Sequence, residues 1–391
     1  MVYDDAGATA DRTIEVGATG IDGLGVGSAS SLVTVDDAVA GLRRMLGYGS
    51  DALTIADLTR RVEIEGGLGD DSVDATYIGG AATDGLPSVA TDAVEIVDFA
   101  HDATGTTTTN QWMLDGASFW GTLATDPTGA DDFTHQLVHA LGATQFVVRL
   151  DDIDAGGDAN QVYVKTLDIP TVLDGGGGDD RFRIGFDGKT FDQLRAALTI
   201  DTGAGNDVVE INDSDRPQTP ETVGFVIEGQ RVVRSGAAGV GVGELTLQTV
   251  PEVLNFFGVA GSGVAVNYDI EVLDTVAETH VHIDGAGQDR VTVTGAADLG
   301  TYVYGGAGDE LVIDYSASTA PVDATLSTTP DDLQLLADAG GTQIGPVYFS
   351  GLETTRAILT DFNDRFTYDT ELDSNTLIVE GRGGDSKASS A

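Results

Sequence analysis

Ile64–Val73 reads IEGGLGDDSV, and the chain returns to this stretch again and again. Versions recur as LDGGGGDDRF (Leu173–Phe182), IDTGAGNDVV (Ile200–Val209), IDGAGQDRVT (Ile283–Thr292), VYGGAGDELV (Val303–Val312) and VEGRGGDSK (Val379–Lys387). Each opens on an aliphatic residue, passes through an acidic or small residue to G-x-G-x-D, and resumes on an apolar position. Gly66–Asp74 and Gly175–Arg183 match G-G-x-G-x-D-x-U-x at every specified position, and the other copies each lose one or two.

The pattern has a physical reading. Glycine takes positive φ at little cost, so paired glycines let the backbone turn sharply and aim carbonyl oxygens at one point. An aspartate at the sixth position adds carboxylate oxygens to that concavity, and hard cations such as Ca²⁺ take six to eight such oxygens. The apolar residue that follows starts a short strand. On this reading the Ca²⁺ ligands are Gly66, Gly67, Gly69 and Asp71; Gly175, Gly176, Gly178 and Asp180; Gly203, Gly205 and Asp207; Gly285, Gly287 and Asp289; Gly306, Gly308 and Glu310; and Gly383 with Asp385. The competing reading is that Gly and Asp simply favour tight turns between strands.

Composition narrows the classes. Acidic residues number 64 against 19 basic, a formal charge of −45 that repels nucleic acid and anionic lipid and attracts cations. Only Lys165, Lys189 and Lys387 are lysines, so the charge also fits a salt-adapted surface. There is no cysteine, hence no disulfide or thiolate site. Fifty-three glycines with nine prolines suit a turn-rich β protein. No apolar run is long enough to span a membrane, and no signal-peptide pattern follows Met1.

Self-comparison exposes a longer period. Strands ending in Asp4, Asp98, Asp213 and Asp314 open four similar segments, which divide the chain into repeat units 1–93, 94–207, 208–310 and 311–391. Inside them Asp51 precedes Asp71 by twenty residues, Asp289 precedes Glu310 by twenty-one and Asp364 precedes Asp385 by twenty-one. Such spacing, filled by strand-turn-strand sequence, predicts stacked β-solenoid rungs. The gap from Asp180 to Asp207 is twenty-seven, and FDGKTFDQLRAA (Phe186–Ala197) reads as an outward insertion with a helical turn or two. Thr222–Ser235, Gly243–Val253 and Thr144–Asp154 alternate like hairpin strands. Asp36–Leu46 and Asp131–Leu141 are the helix candidates. On a helix, His135 and His139 would share one face as a zinc pair does, but no third ligand is identifiable and an exposed polar face is the plainer reading. His280 and His282 flank Val281 on a strand and read as outward-facing decoration.

No nucleophile elbow, phosphate loop or Cys/His arrangement is present, and with so many carboxylates any close pair is expected by chance. Sixteen arginines scattered without a stripe and 6% aromatic residues offer no substrate groove. An enzyme is therefore not expected.

The turns GGLGDDSVD and GGGGDDRFR resemble the RTX, or haemolysin-type calcium-binding, repeats. The longer unit is similar to the degenerate repeats of very large bacterial surface and secreted proteins, most closely at Gly20–Ser28, Phe349–Asp369 and Asn375–Ser386. The resemblance implies an all-β fold of parallel β-roll or β-helix rungs, outside the cell or on its surface, stiffened by Ca²⁺. In tandem arrays each ion is shared between stacked turns, so complete sites are expected where 285–290 stacks on 305–310. The expected function is a structural or adhesive module with Ca²⁺ as its ion, a surface or matrix polysaccharide or protein as partner, and neither nucleic-acid binding nor membrane insertion. The chain starts inside one repeat and stops in another, which predicts a fragment of a longer array. The alternatives are a β-helix lyase or epimerase acting on acidic polysaccharide, and a salt-adapted β scaffold without specific metal.

Overall fold

The computed structural model describes residues 159–185, 188–217, 221–235, 243–260, 266–294, 300–329, 332–369, 376–383 and 387–390. Before residue 159 it describes 110–116, 118–121, 135–139, 145–150 and eight short strands between residues 2 and 97, those early strands as backbone. Nearly every described element is a strand; the exception is a 3₁₀ turn at Phe191–Gln193. The protein is all-β, built on large and mostly parallel sheets. Among the described residues no helix is long and apolar enough to cross a membrane.

Two compact units are present: residues 1–183 with 193–207, and residues 184–192 with 208–391. In the first, one sheet runs Val2–Tyr3, Gly41–Gly47, Arg61–Gly67, Ala93–Val97, Gln145–Arg149, Thr171–Asp174 and Leu198–Asp201, every neighbour parallel. A second sheet starts with an antiparallel meander (His135–His139, Ser118–Gly121, Asn110–Asp115) and continues with Asn160–Val164 and Arg181–Ile184. From residue 145 on, consecutive strands alternate between the two sheets. Each turn of chain thus adds one parallel strand to each.

The second unit repeats the scheme. Val266–Thr275, Arg290–Thr294, Glu310–Asp314, Thr354–Ile358 and Thr376–Glu380 form one parallel run. Val208–Asn212, Val253–Phe257, Glu278–Ile283, Thr301–Gly305 and Thr342–Ser350 form the other. Antiparallel excursions interrupt each run: Glu221–Gly229 with Arg231–Ser235 and Glu244–Leu247, and Val322–Thr328 with Leu333–Ala339 and Thr342–Ser350.

The strands form because β-branched and aromatic residues alternate with polar ones at period two, which suits a pleated surface buried on one face. In Glu278–Ile283, Thr279, Val281 and Ile283 are buried while Glu278, His280 and His282 face out. The second unit's core carries an edge-to-face chain Phe191–Phe225–Phe256–Tyr268, with centroids 5.6, 4.8 and 5.8 Å apart. Each such pair contributes about 0.5–1.5 kcal/mol beyond simple burial.

Several sequence expectations change here. Thr222–Ser235 is the antiparallel hairpin its alternation indicates. Gln145–Arg149, however, pairs parallel on both sides, because its apolar side chains can be covered only by joining the stacked sheet. Residues 41–46 and 135–139, parts of the two helix candidates, are strand. On a strand, His135 and His139 lie about 13 Å apart along the chain at about 3.3 Å per residue, so the helical zinc pairing is lost. Within Phe186–Ala197, Phe191–Gln193 makes a single 3₁₀ turn, and Phe191 and Leu194 are buried, so the described part of the insertion packs inward rather than projecting.

Candidate functional site

The glycine-aspartate turns stack on one another. In the first unit, a Cβ on Gly203 would lie 1.7 Å from the Gly176 carbonyl oxygen, and one on Gly205 would lie 1.8 Å from that of Gly178. Both glycines have positive φ, +87° and +155°. Only glycine permits this approach. The contact is completed by hydrogen bonds from the Ala204 amide to the Gly176 carbonyl and from the Gly178 amide to the Ala204 carbonyl, both 2.9 Å. Carbonyls that a free turn could aim at an ion are here engaged by the next turn's backbone.

The aspartates point inward and behave as rungs of a ladder. The Asn160 amide donates to Asp180 Oδ1 at 2.8 Å, and the Asp180 amide donates to Asp207 Oδ1 at 2.9 Å. In the second unit the Tyr268 amide donates to Asp289 Oδ1 at 2.7 Å, and the Asp289 amide donates to Asp309 Oδ1 at 3.0 Å. Asp364 accepts from the Val322 amide at 2.8 Å and the Thr360 amide at 2.9 Å. All five side chains are buried. These carboxylates therefore satisfy buried backbone N–H groups of neighbouring layers, several of them at or just before the start of a strand (Asn160, Asp180, Asp289 and Val322), which would otherwise be costly to bury. The adjoining glycines make room for them: a Cβ on Gly175 would meet Asp180 Oδ2 at 2.5 Å, and one on Gly287 would meet Asp289 Oδ1 at 2.6 Å.

Burial pushes the Asp289 carboxyl up to about 7, with the neighbouring Asp309 charge adding to the shift against the Tyr268 amide. Burial likewise raises Asp309.

The repeat copies map onto this geometry unequally. Gly66 and Gly67 close the strand Arg61–Gly67, while Gly69, Asp71 and Asp385 lie outside the described residues. Gly285 and Gly287 pack against carbonyls of Val259 and Val266. Gly306 and Gly308 sit over Gly285 and Gly287, at 3.2 and 3.4 Å from their carbonyl oxygens to an added Cβ, so the stacking of 285–290 with 305–310 is present. Gly383 lies over Asp361 in the same manner. Glu310 does not take the aspartate's place in its copy; Asp309 does. The turn is one residue shorter there, because Leu311 and Ile313 must align with Val291 and Val293 on the buried face. Glu310 is instead the first residue of its strand, with Arg356 Nε at 2.9 Å and Arg290 Nε at 3.8 Å.

As donors for a cation, these turns offer carboxylates and carbonyls of which several atoms already accept from the chain's own amides. Among the described residues no group of three or more His, Asp and Glu side chains converges where an ion would be held.

A second buried cluster escapes the repeat pattern. Arg216 holds Asp213 through Nε at 2.6 Å and Nη2 at 3.1 Å, and Asp192 through Nη1 at 2.7 Å. Arg234 reaches Asp192 at 2.9 Å, and the Tyr268 hydroxyl donates to Asp213 at 3.0 Å. The Asp213 and Arg216 side chains are 0% and 3% exposed, so this is an ion pair withdrawn from water. Burial opposes charge on Arg216, but Asp192 and Asp213 outweigh it and hold the guanidinium above its ordinary range. Burial also opposes charge on Asp192, yet the two arginines keep its carboxyl below the usual value. The sequence signal was modest: Asp213 ends a segment-opening strand, and Arg216 follows three residues later.

The outer face of the second unit carries a further feature. Phe257, His282 and Tyr304 stack in one row at 4.8 and 4.6 Å, and His280, Tyr302 and Tyr348 in another at 4.4 and 4.5 Å. Strand register places these residues directly opposite one another.

No family model matches the chain, and no curated protein matches it.

Proposed function

We propose that this chain is a non-catalytic structural module: a parallel β-solenoid of an exported, surface-located bacterial protein, serving as scaffold or adhesive spacer. The observation that carries this reading is the aspartate ladder, in which the most repeated polar residues bond to backbone amides between layers instead of lining an open cleft. A β-solenoid lyase or epimerase acting on acidic polysaccharide would need a basic groove along several rungs, and the buried arginine cluster among the described residues is closed by its own carboxylates.

A calcium-coupled form of the same scaffold is the second reading. Its support is the pair of complete nonapeptides and the −45 charge, which opposes compaction unless cations offset it. In that form Ca²⁺ would bind the folded turns and add its binding free energy to stability. Partners would be a surface or matrix polysaccharide or protein.

One experiment separates these readings. Far-UV circular dichroism melts are recorded after EGTA stripping, then with Ca²⁺, with Mg²⁺ and with high NaCl. A β signal and melting point indifferent to all additions support the plain scaffold. A rise with Ca²⁺ alone supports the calcium-coupled form, and equal rises with Ca²⁺ and NaCl support charge screening. Cleavage of acidic oligosaccharides by the purified chain would overturn the non-catalytic reading.

A further inference from the structure

We propose that His280 and His282 form a binding site for a divalent transition metal ion, with Cu²⁺ the tightest ligand of the series. Ca²⁺ and the glycine-aspartate turns play no part in it, since hard cations take oxygen donors while imidazole selects Cu, Ni and Zn.

Three observations build the site. The strand Glu278–Ile283 buries Thr279, Val281 and Ile283, so Glu278, His280 and His282 project together from its outer face. Each imidazole is held by its own aromatic row: His280 against Tyr302 at an interplanar angle of 4°, and His282 between Phe257 and Tyr304 at 14° and 17°. The rows run from strand to strand, whereas His280 and His282 are separated along one strand. Their planes lie within 9° of parallel and their centroids are 6.3 Å apart, so the two rings stand side by side on one outer face. Two parallel imidazoles at this separation are near enough for one ion, at ordinary metal–nitrogen distances of about 2.0–2.1 Å, to take a nitrogen from each.

The surroundings favour ligation. Glu278 Oε1 lies 2.8 Å from His280 Nε2 and takes that nitrogen's proton in a hydrogen bond, leaving Nδ1 as the free donor. Carboxylate support of this kind orients metal-binding histidines and raises their basicity. No third His, Asp or Glu converges with them among the described residues, so water completes the coordination. The stacking rows replace extra ligands as the source of rigidity, since rings fixed in advance lose little freedom on binding.

The test is titration of the full chain with CuCl₂, followed by electron paramagnetic resonance. The expected result is one equivalent that saturates before the weak carboxylate background and shows coupling to two imidazole nitrogens. His280→Gln and His282→Gln should each reduce the coupling to one nitrogen and weaken binding roughly tenfold or more, and Glu278→Gln should weaken it about tenfold. His135→Gln with His139→Gln should leave it unchanged. Absence of a two-nitrogen signal in the native chain overturns the proposal, as does its persistence in either single variant with native circular dichroism. If a variant loses its β signal, the nitrogen count of the native chain, with and without the His135/His139 changes, decides alone.

Discussion

The glycine-aspartate turns and the Asp213–Arg216 cluster both place carboxylates out of water, and they do so by different means. In the turns the carboxylates accept backbone amides, and burial raises Asp289 and Asp309. In the cluster the carboxylates meet two arginines and a tyrosine hydroxyl: burial still raises Asp213, while at Asp192 the arginines outweigh burial and lower the carboxyl. The turn solution is modular, because any layer with an amide at the corner can use it. The cluster is particular to one place, where the Phe191 turn and the Glu221 hairpin leave the regular stack. The contrast shows that the repeat pattern marks how layers are joined, while the irregular insertions need their own electrostatic fastening.

The largest expected effect breaks the cluster. Arg216→Met leaves Asp213 buried without its cation and should destabilise by about 3–5 kcal/mol in urea denaturation. A loss below about 1 kcal/mol would show that the cluster is not withdrawn from water as described. Next comes the close approach of stacked turns. Gly203→Ala should destabilise by roughly 2–4 kcal/mol, since its Cβ collides with the Gly176 carbonyl. Gly188→Ala shares a positive φ but meets nothing within 4 Å, and should lose only about 1–2 kcal/mol. Equal losses at the two sites would remove crowding from the explanation.

The ladder itself is tested by Asp309→Ala, which strips the acceptor from the Asp289 amide and should lower stability by about 1–3 kcal/mol. A pH profile then sharpens the contrast with the cluster. The folded Asp289 carboxyl sits at about 7, above an unfolded value near 3.9. The folded form therefore holds the proton more tightly, so this group's contribution is fullest below about pH 4 and fades as pH rises through 7. Asp289→Asn keeps an acceptor but cannot ionise, and melting points across pH 4–8 should fall less steeply in the variant than in the native chain. Parallel profiles would exclude Asp289 as the source. The smallest effect belongs to Glu310→Gln, within about 0.5 kcal/mol, because its partners Arg356 and Arg290 lie at the surface. A Glu310 loss matching that of Asp309→Ala would reverse their assigned roles.

Much of this was readable in advance, and the reasons differ by residue. The stacking of 285–290 with 305–310 follows from spacing, and the hairpin at Thr222–Ser235 from alternation, both of which are local patterns. The exchange of Asp309 for Glu310 was hidden, because motif alignment counts residues from the glycines whereas the sheet counts them from the buried strand positions. His135 and His139 misled for a related reason: their four-residue spacing suits a helix, yet the segment joins an antiparallel meander. The Arg216–Asp192 contact joins residues twenty-four apart across an insertion, with no periodic signal to announce it.

Taken alone, the sequence determined the all-β class, the positions of the tight turns and the strongly acidic surface, because period-two alternation, glycine's backbone freedom and formal charge are properties of short segments. Only the tertiary structure decided where the aspartates point, which carboxylate completes each turn, and that two histidines stand parallel, each in its own aromatic row. Those outcomes depend on the register between layers about twenty or more residues apart. Burying the apolar face of every strand sets that register, and the polar residues take the positions it leaves them.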